Sequence, residues 1–185
     1  MRGDRQNSLR ISPARKIELV GIMAATLECS KLALSFLPNI ETVTLLLALY
    51  GYVFGILGFA SAIVFVSIEP RIYWFKTWVV SYYLYWPLIP LVFWLLSKLR
   101  VKNRWLLTLV AVILSAWFGV LTSLVDIGLL SGFFDNFAQR FAIYYARGIV
   151  FYAVQIACNA VLFPLLFPFL SEKFKKIKTH METSG

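Results

Sequence analysis

Apolar residues in this chain fall in long, nearly unbroken runs, at residues 17–37, 42–68, 78–96, 105–130 and 142–170. A helix of about 17 to 25 apolar residues spans a hydrocarbon layer of about 30 Å. Each run therefore predicts membrane-spanning helix. The second run is too long for one span and carries Gly51, Gly55 and Gly58 near its middle. Glycine costs roughly 1 kcal/mol per position inside a helix but suits a tight reversal, so the run predicts two short helices. The expected fold is all-α: an integral membrane bundle of about six transmembrane helices forming one domain over residues 1–185. Residues 1–16 and 171–185 are its basic, cytoplasmic tails. A basic stretch followed by an apolar one has the order of a leader peptide, but no small-x-small cleavage pattern precedes a polar domain, so the first run predicts a retained helix.

Composition strengthens the membrane reading. Hydrophobic residues make up 60% of the 185 positions and aromatic residues 17%. Charged residues are only 15%, against about 25% in soluble domains. Mean hydropathy is +0.76. The net charge of +9, from 18 Lys plus Arg against 9 Asp plus Glu, lies mostly outside the apolar runs, which argues for membrane orientation rather than nucleic-acid binding. Arg2, Arg5, Arg10, Arg15 and Lys16 precede the first run. Lys98, Arg100, Lys102 and Arg104 form one link, and Lys173, Lys175, Lys176 and Lys178 follow the last run. With an even number of spans these three clusters share one face, which the positive-inside rule makes cytoplasmic. His180 is the one histidine, and Cys29 and Cys158 lie far apart in apolar stretches, so neither a metal cluster nor a disulfide framework is expected. No nucleophile stands beside a base at motif spacing, and there is no phosphate-binding glycine loop and no H-E-x-x-H. Neither an enzyme nor a bound cofactor is expected.

The remaining polar and aromatic residues concentrate toward the opposite face. Residues 36–41 end the first run at Pro38 and present Asn39 and Glu41. Residues 69–78 combine Glu69, Arg71 and Lys76 with Tyr73, Trp74 and Trp78, and lead into Tyr82, Tyr85 and Trp86. An interfacial aromatic belt accounts for such residues one by one. Tyr82, Tyr85 and Trp86, however, lie a turn or more inside the span, where an aromatic face suits a flat amphipathic ligand. A link from Asp126 to Arg140 leads into Tyr144, Arg147 and Gln155, whose spacings of three and eight residues place them on one helical face. Arg147 has two readings, a pocket residue or a side chain snorkelling to headgroups. In the first run Glu28 and Lys31 are three residues apart, a spacing that suits a mutual pair. Gly21, Ala25 and Cys29 recur every four residues as a small-residue stripe that serves either a partner helix or the protein's own bundle.

Several segments together resemble a known family. They are residues 21–25 (Gly-Ile-Met-Ala-Ala), residues 31–41 (Lys-Leu-Ala-Leu-Ser-Phe-Leu-Pro-Asn-Ile-Glu), Thr44 with the three leucines after it, and residues 52–55 (Tyr-Val-Phe-Gly). In a small, basic, roughly six-span protein this layout is similar to the substrate-binding S component of energy-coupling-factor (ECF) vitamin transporters. The resemblance covers almost the whole chain, though no short stretch is a strict signature. It implies a subunit that captures a vitamin at the outer face and docks on a module of one transmembrane coupling subunit and two ATPases. The family's A-x-x-x-A docking pattern falls on Gly21 and Ala25, with glycine in place of the first alanine. Its ligand region falls on Asn39 and Glu41, on residues 69–78, on residues 126–140 and on the inward faces of the last three spans. The implied binding residues are Asn39, Glu41, Glu69, Arg71, Tyr73, Trp74, Trp78, Tyr82, Tyr85, Asp126, Tyr144, Arg147 and Gln155. Residues 37–41 resemble the cobalamin branch most, while Arg71, Lys76, Arg140 and Arg147 equally suit a carboxylate vitamin such as folate or pantothenate. A structural membrane protein without a ligand is the competing reading. A self-sufficient carrier ranks below both, since the two halves show no repeat.

Overall fold

The computed structural model describes residues 11–37, 40–74, 76–130, 132–133 and 135–183. Among them every regular element is α-helical. Helix α1 spans Pro13–Ala33. It starts where Ser12 accepts the Arg15 backbone N–H at 3.4 Å and Pro13 fills the first turn, a position that needs no N–H. Helices α2 (Val43–Phe54) and α3 (Ile56–Tyr73) are separated by Gly55 alone, at φ +64°. The glycine cluster is therefore the predicted break, and close packing explains it. A Cβ at Gly58 would lie 2.5 Å from the Tyr50 backbone, and one at Gly51 would lie 2.1 Å from the Pro90 carbonyl oxygen.

Helices α4 (Thr77–Tyr85) and α5 (Leu88–Lys98) divide what the apolar run predicts as one helix. Pro87 is the cause: it offers no N–H to continue the ladder and its ring crowds the preceding turn. Helix α6 runs over Arg104–Leu130, its first turn capped by Asn103 Oδ1, which accepts the Trp105 N–H at 2.9 Å. Helix α7 runs over Phe137–Thr183, through Pro164 and Pro168, so the basic segment after residue 170 continues the last helix up to Thr183.

Among the described residues four segments are long and apolar enough to cross a membrane: α3, α4 with α5, α6, and α7. This is compatible with a membrane location. Helix α2 is apolar but only 12 residues long, and α1 carries Arg15, Lys16, Glu18, Glu28 and Lys31. Eleven of the twelve α2 residues are buried, so α2 is the central post, packed against α5, α7, α3 and α1. Polar bonds tie the long helices together, for example Asn159 Nδ2 donating to Ser115 Oγ at 2.9 Å. Leu109, Ile113 and Trp117 on α6, and Val150, Val161 and Leu165 on α7, point outward. Such an apolar exterior suits lipid.

Three bonds gather the basic clusters at one end of the bundle. Lys178 Nζ donates to the Val53 carbonyl at 2.9 Å, Tyr52 Oη to the Val101 carbonyl at 2.8 Å, and Arg15 Nη1 to the Met181 carbonyl at 3.3 Å. The opposite end, where α1 and α3 finish and α2 and α4 begin, holds the aromatic and acidic residues.

Candidate ligand-binding site

At that opposite end lies a cavity of about 270 Å³. Helix α4 supplies one wall. Trp78, Tyr82 and Trp86 recur every four residues and pack in sequence along the helix, Trp78 and Tyr82 tilted with ring centroids 4.6 Å apart and Tyr82 and Trp86 edge-to-face at 5.5 Å. Phe118 of α6 closes the wall, 6.2 Å from both Tyr82 and Trp86. Tyr73, from the last turn of α3, completes it at the mouth, 6.2 Å from Trp78.

Lys31 enters this aromatic surface from α1. Its ammonium lies 4.6 Å from the Tyr73 ring centroid, 5.2 Å from Tyr82 and 5.7 Å from Trp78, within cation–π range of all three. It also forms an ion pair with Glu69 of α3, whose side chain is fully buried. The expected Glu28–Lys31 partnership is thus replaced by Lys31–Glu69. Adjacent turns of one helix place Glu28 beside the pair rather than in it, because the third helix brings Glu69 directly onto the ammonium. Glu28 remains buried at 9% exposure, electrostatically coupled to Glu69 and Lys31. Neither of its carboxyl oxygens has a hydrogen-bond partner among the described residues.

Glu41 forms the polar corner. One carboxylate oxygen accepts the Thr44 backbone N–H at 2.9 Å, satisfying a first-turn donor of α2. The other accepts the Thr44 hydroxyl and the Gln155 amide of α7, the latter at 3.3 Å. The Cys158 thiol donates to the Glu41 carbonyl at 3.6 Å. Gln155 is 4% exposed, so α2, α7 and the 40–42 segment hold this corner rigidly.

Of the residues the sequence nominates, the cavity brings together Glu41, Tyr73, Trp78, Tyr82 and Gln155, with Glu69 directly behind Lys31. Tyr85 is fully buried behind the wall, against Trp86 and Phe118. Four others do not line the cavity: Arg71 and Trp74 (82% exposed) lie on the surface, and Asp126 and Tyr144 are half-buried elsewhere. Arg147 is exposed and does not line the cavity either. Gln155, eight residues on, is buried at the cavity, so the two side chains stand in different surroundings. Asn39 lies outside the described residues. Gly21, Ala25 and Cys29 sit on the exposed face of α1, while Leu19, Met23, Ala24 and Leu27 face inward. The stripe is therefore unused by the protein's own bundle.

The binding residues implied by the resemblance omit Lys31, Trp86 and Phe118, although the sequence reading places Trp86 in the aromatic face. Two of these carry a signal. A lysine deep in an apolar run demands a buried partner or an aqueous cavity, and Trp86 continues the four-residue spacing of Trp78 and Tyr82. Phe118 is one apolar residue among many in α6 and carries none.

Comparison of the chain with family models, curated proteins and solved structures returns no match.

Proposed function

We propose that the chain is the solute-capturing subunit of a multi-subunit importer, an ECF-type S component that takes up a vitamin and hands it to a coupling subunit with two ATPases. The observation that carries this reading is the aromatic cavity at one end of an apolar helical bundle, concave and mostly apolar with a few fixed polar groups, as ligand sites are. On this reading α1 and α2 join the four longer apolar segments as spans, with α4 and α5 taken as one, which is compatible with the six-span bundle of the resemblance. By the positive-inside rule the basic end is cytoplasmic, with both termini on that side, and the cavity opens outward.

The exposed Gly21-Ala25-Cys29 stripe supplies a close-approach surface for the coupling subunit. Cobalamin is the favoured vitamin by the resemblance of residues 37–41, with folate and pantothenate as alternatives. A cavity of about 270 Å³ lies just below the range of about 300–1,000 Å³ for drug-sized ligands. It takes one ring system, so a corrinoid would be held by one edge or arm. Co-expression with an ECF module and affinity purification of this chain tests the partner assignment. Stoichiometric recovery of the coupling subunit and both ATPases is expected; recovery of the chain alone, in a folded and monodisperse state, contradicts it.

A further inference from the structure

The charges the sequence offers for a carboxylate ligand are not where such a ligand would sit. Arg71, Lys76 and Arg147 are exposed and do not line the cavity. Arg140 spends its guanidinium on the Gly132 carbonyl, at 2.9 Å, within its own link. Among the described lining residues Lys31 is the one cation, and it is committed to Glu69 and to three ring faces. Glu69 pairs with it, Glu28 lies close enough to couple to both, and Glu41 stands separately on the cavity wall. Carboxyl groups thus outnumber cations among the described residues of this site, in a partly buried setting where charges are screened less than in water. An entering carboxylate would find its only counter-ion already matched and further acid groups behind it.

We propose that this cavity selects an uncharged or cationic planar ligand and rejects anionic ones, with Glu69 and its neighbour Glu28 as the residues that set this preference. The ligand stacks on Trp78, Tyr82 and Trp86 and offers N–H or O–H donors to the Glu41–Gln155 corner. Cation–π attraction from the same rings adds to the binding of a ligand carrying positive charge. The inference rests on the solute-capture reading and narrows it: an amide-rimmed molecule such as cobalamin belongs to the accepted class, and folate and pantothenate do not.

The test is equilibrium dialysis of the purified full chain in lipid nanodiscs against five labelled probes: thiamine (cationic), riboflavin and cyanocobalamin (no net charge), folate and pantothenate (carboxylates). At least one of the first three is expected to bind at least about tenfold tighter than either carboxylate. Glu69→Gln keeps the side-chain volume and releases the Lys31 ammonium toward the cavity. It is expected to raise carboxylate affinity about tenfold, a gain that a damaged fold cannot imitate. Glu28→Gln removes the carboxyl that couples to both members of the ion pair while leaving the pair itself in place, and carries the same expectation should Glu69→Gln fail to fold. The inference is overturned if a carboxylate is the tightest probe on the unaltered chain, if none of the first three binds, or if a folded variant shows no gain. Recovery of the ATPases on co-expression reports on the importer reading separately, so failure of the charge preference is distinguishable from failure of the importer assignment.

Discussion

Lys31 holds three helices at one point: it rises from α1, pairs with Glu69 of α3 and lies against the α4 rings of Trp78 and Tyr82. Lys31 is a quarter exposed but Glu69 is fully buried, so removing the lysine leaves a buried carboxyl uncompensated, at a cost of up to about 3–5 kcal/mol. Lys31→Met is therefore expected to lower thermal stability in detergent strongly, and adding Glu69→Gln to restore a large part of it. Equal stability of Lys31→Met and the unaltered chain would refute the pairing. Trp78 and Arg147 make a second contrast, since both are named by the sequence as ligand residues and only Trp78 lines the cavity. Trp78→Ala is expected to weaken binding of the best dialysis probe about tenfold, base–aromatic stacking being worth about 1–3 kcal/mol in comparable sites, with Arg147→Ala indistinguishable from the unaltered chain. The aromatic half of the site was legible because Trp78 and Tyr82 repeat at helical spacing. The charged half was not: which acid meets Lys31 depends on how α1 crosses α3, and no spacing within one helix encodes that.

At the level of elements, glycine positions separate packing inside the bundle from an exposed helix face. Gly51 meets the Pro90 backbone, which cannot rotate aside as a side chain would. Gly51→Ala is thus expected to destabilise by about 1–3 kcal/mol or more, read from thermal unfolding in detergent. A Cβ added at Gly21, on the exposed face of α1, would meet no atom within 4 Å, so Gly21→Leu is expected to leave stability unchanged while reducing co-purification of the coupling subunit. Unchanged co-purification would remove the stripe from the docking surface. The split between α2 and α3 was readable from three glycines in one apolar run. The split between α4 and α5 was equally available at Pro87 but masked by continuous hydropathy, and the extension of α7 to Thr183 was hidden because a basic run reads as a tail although lysine is a good helix former.

Across the whole molecule, charge placement and fold describe the same polarity. The Val53, Val101 and Met181 carbonyls each receive a basic or tyrosyl side chain at one end, while the Lys31–Glu69 pair and the cavity occupy the other. Clustering of cations along the chain was enough to anticipate the shared end, because each long helix reverses direction and returns the clusters together. The depth and size of the cavity were not legible, since they depend on rings contributed by α3, α4 and α6 at once. Protease-cleavable tags at the two termini of the chain in sealed inverted vesicles are both expected to be cut from outside those vesicles, the cytoplasmic side; protection of one alone would contradict the proposed even span count, and protection of both the proposed orientation.

The most direct test is uptake. The chain co-expressed with an ECF module, purified as a complex and reconstituted in liposomes is expected to accumulate one labelled vitamin, with cobalamin favoured over folate and pantothenate, only when ATP is supplied to the ATPase side. Absence of ATP-dependent accumulation for every vitamin offered, from a complex whose ATPases are present and active, would contradict capture of a vitamin by this chain.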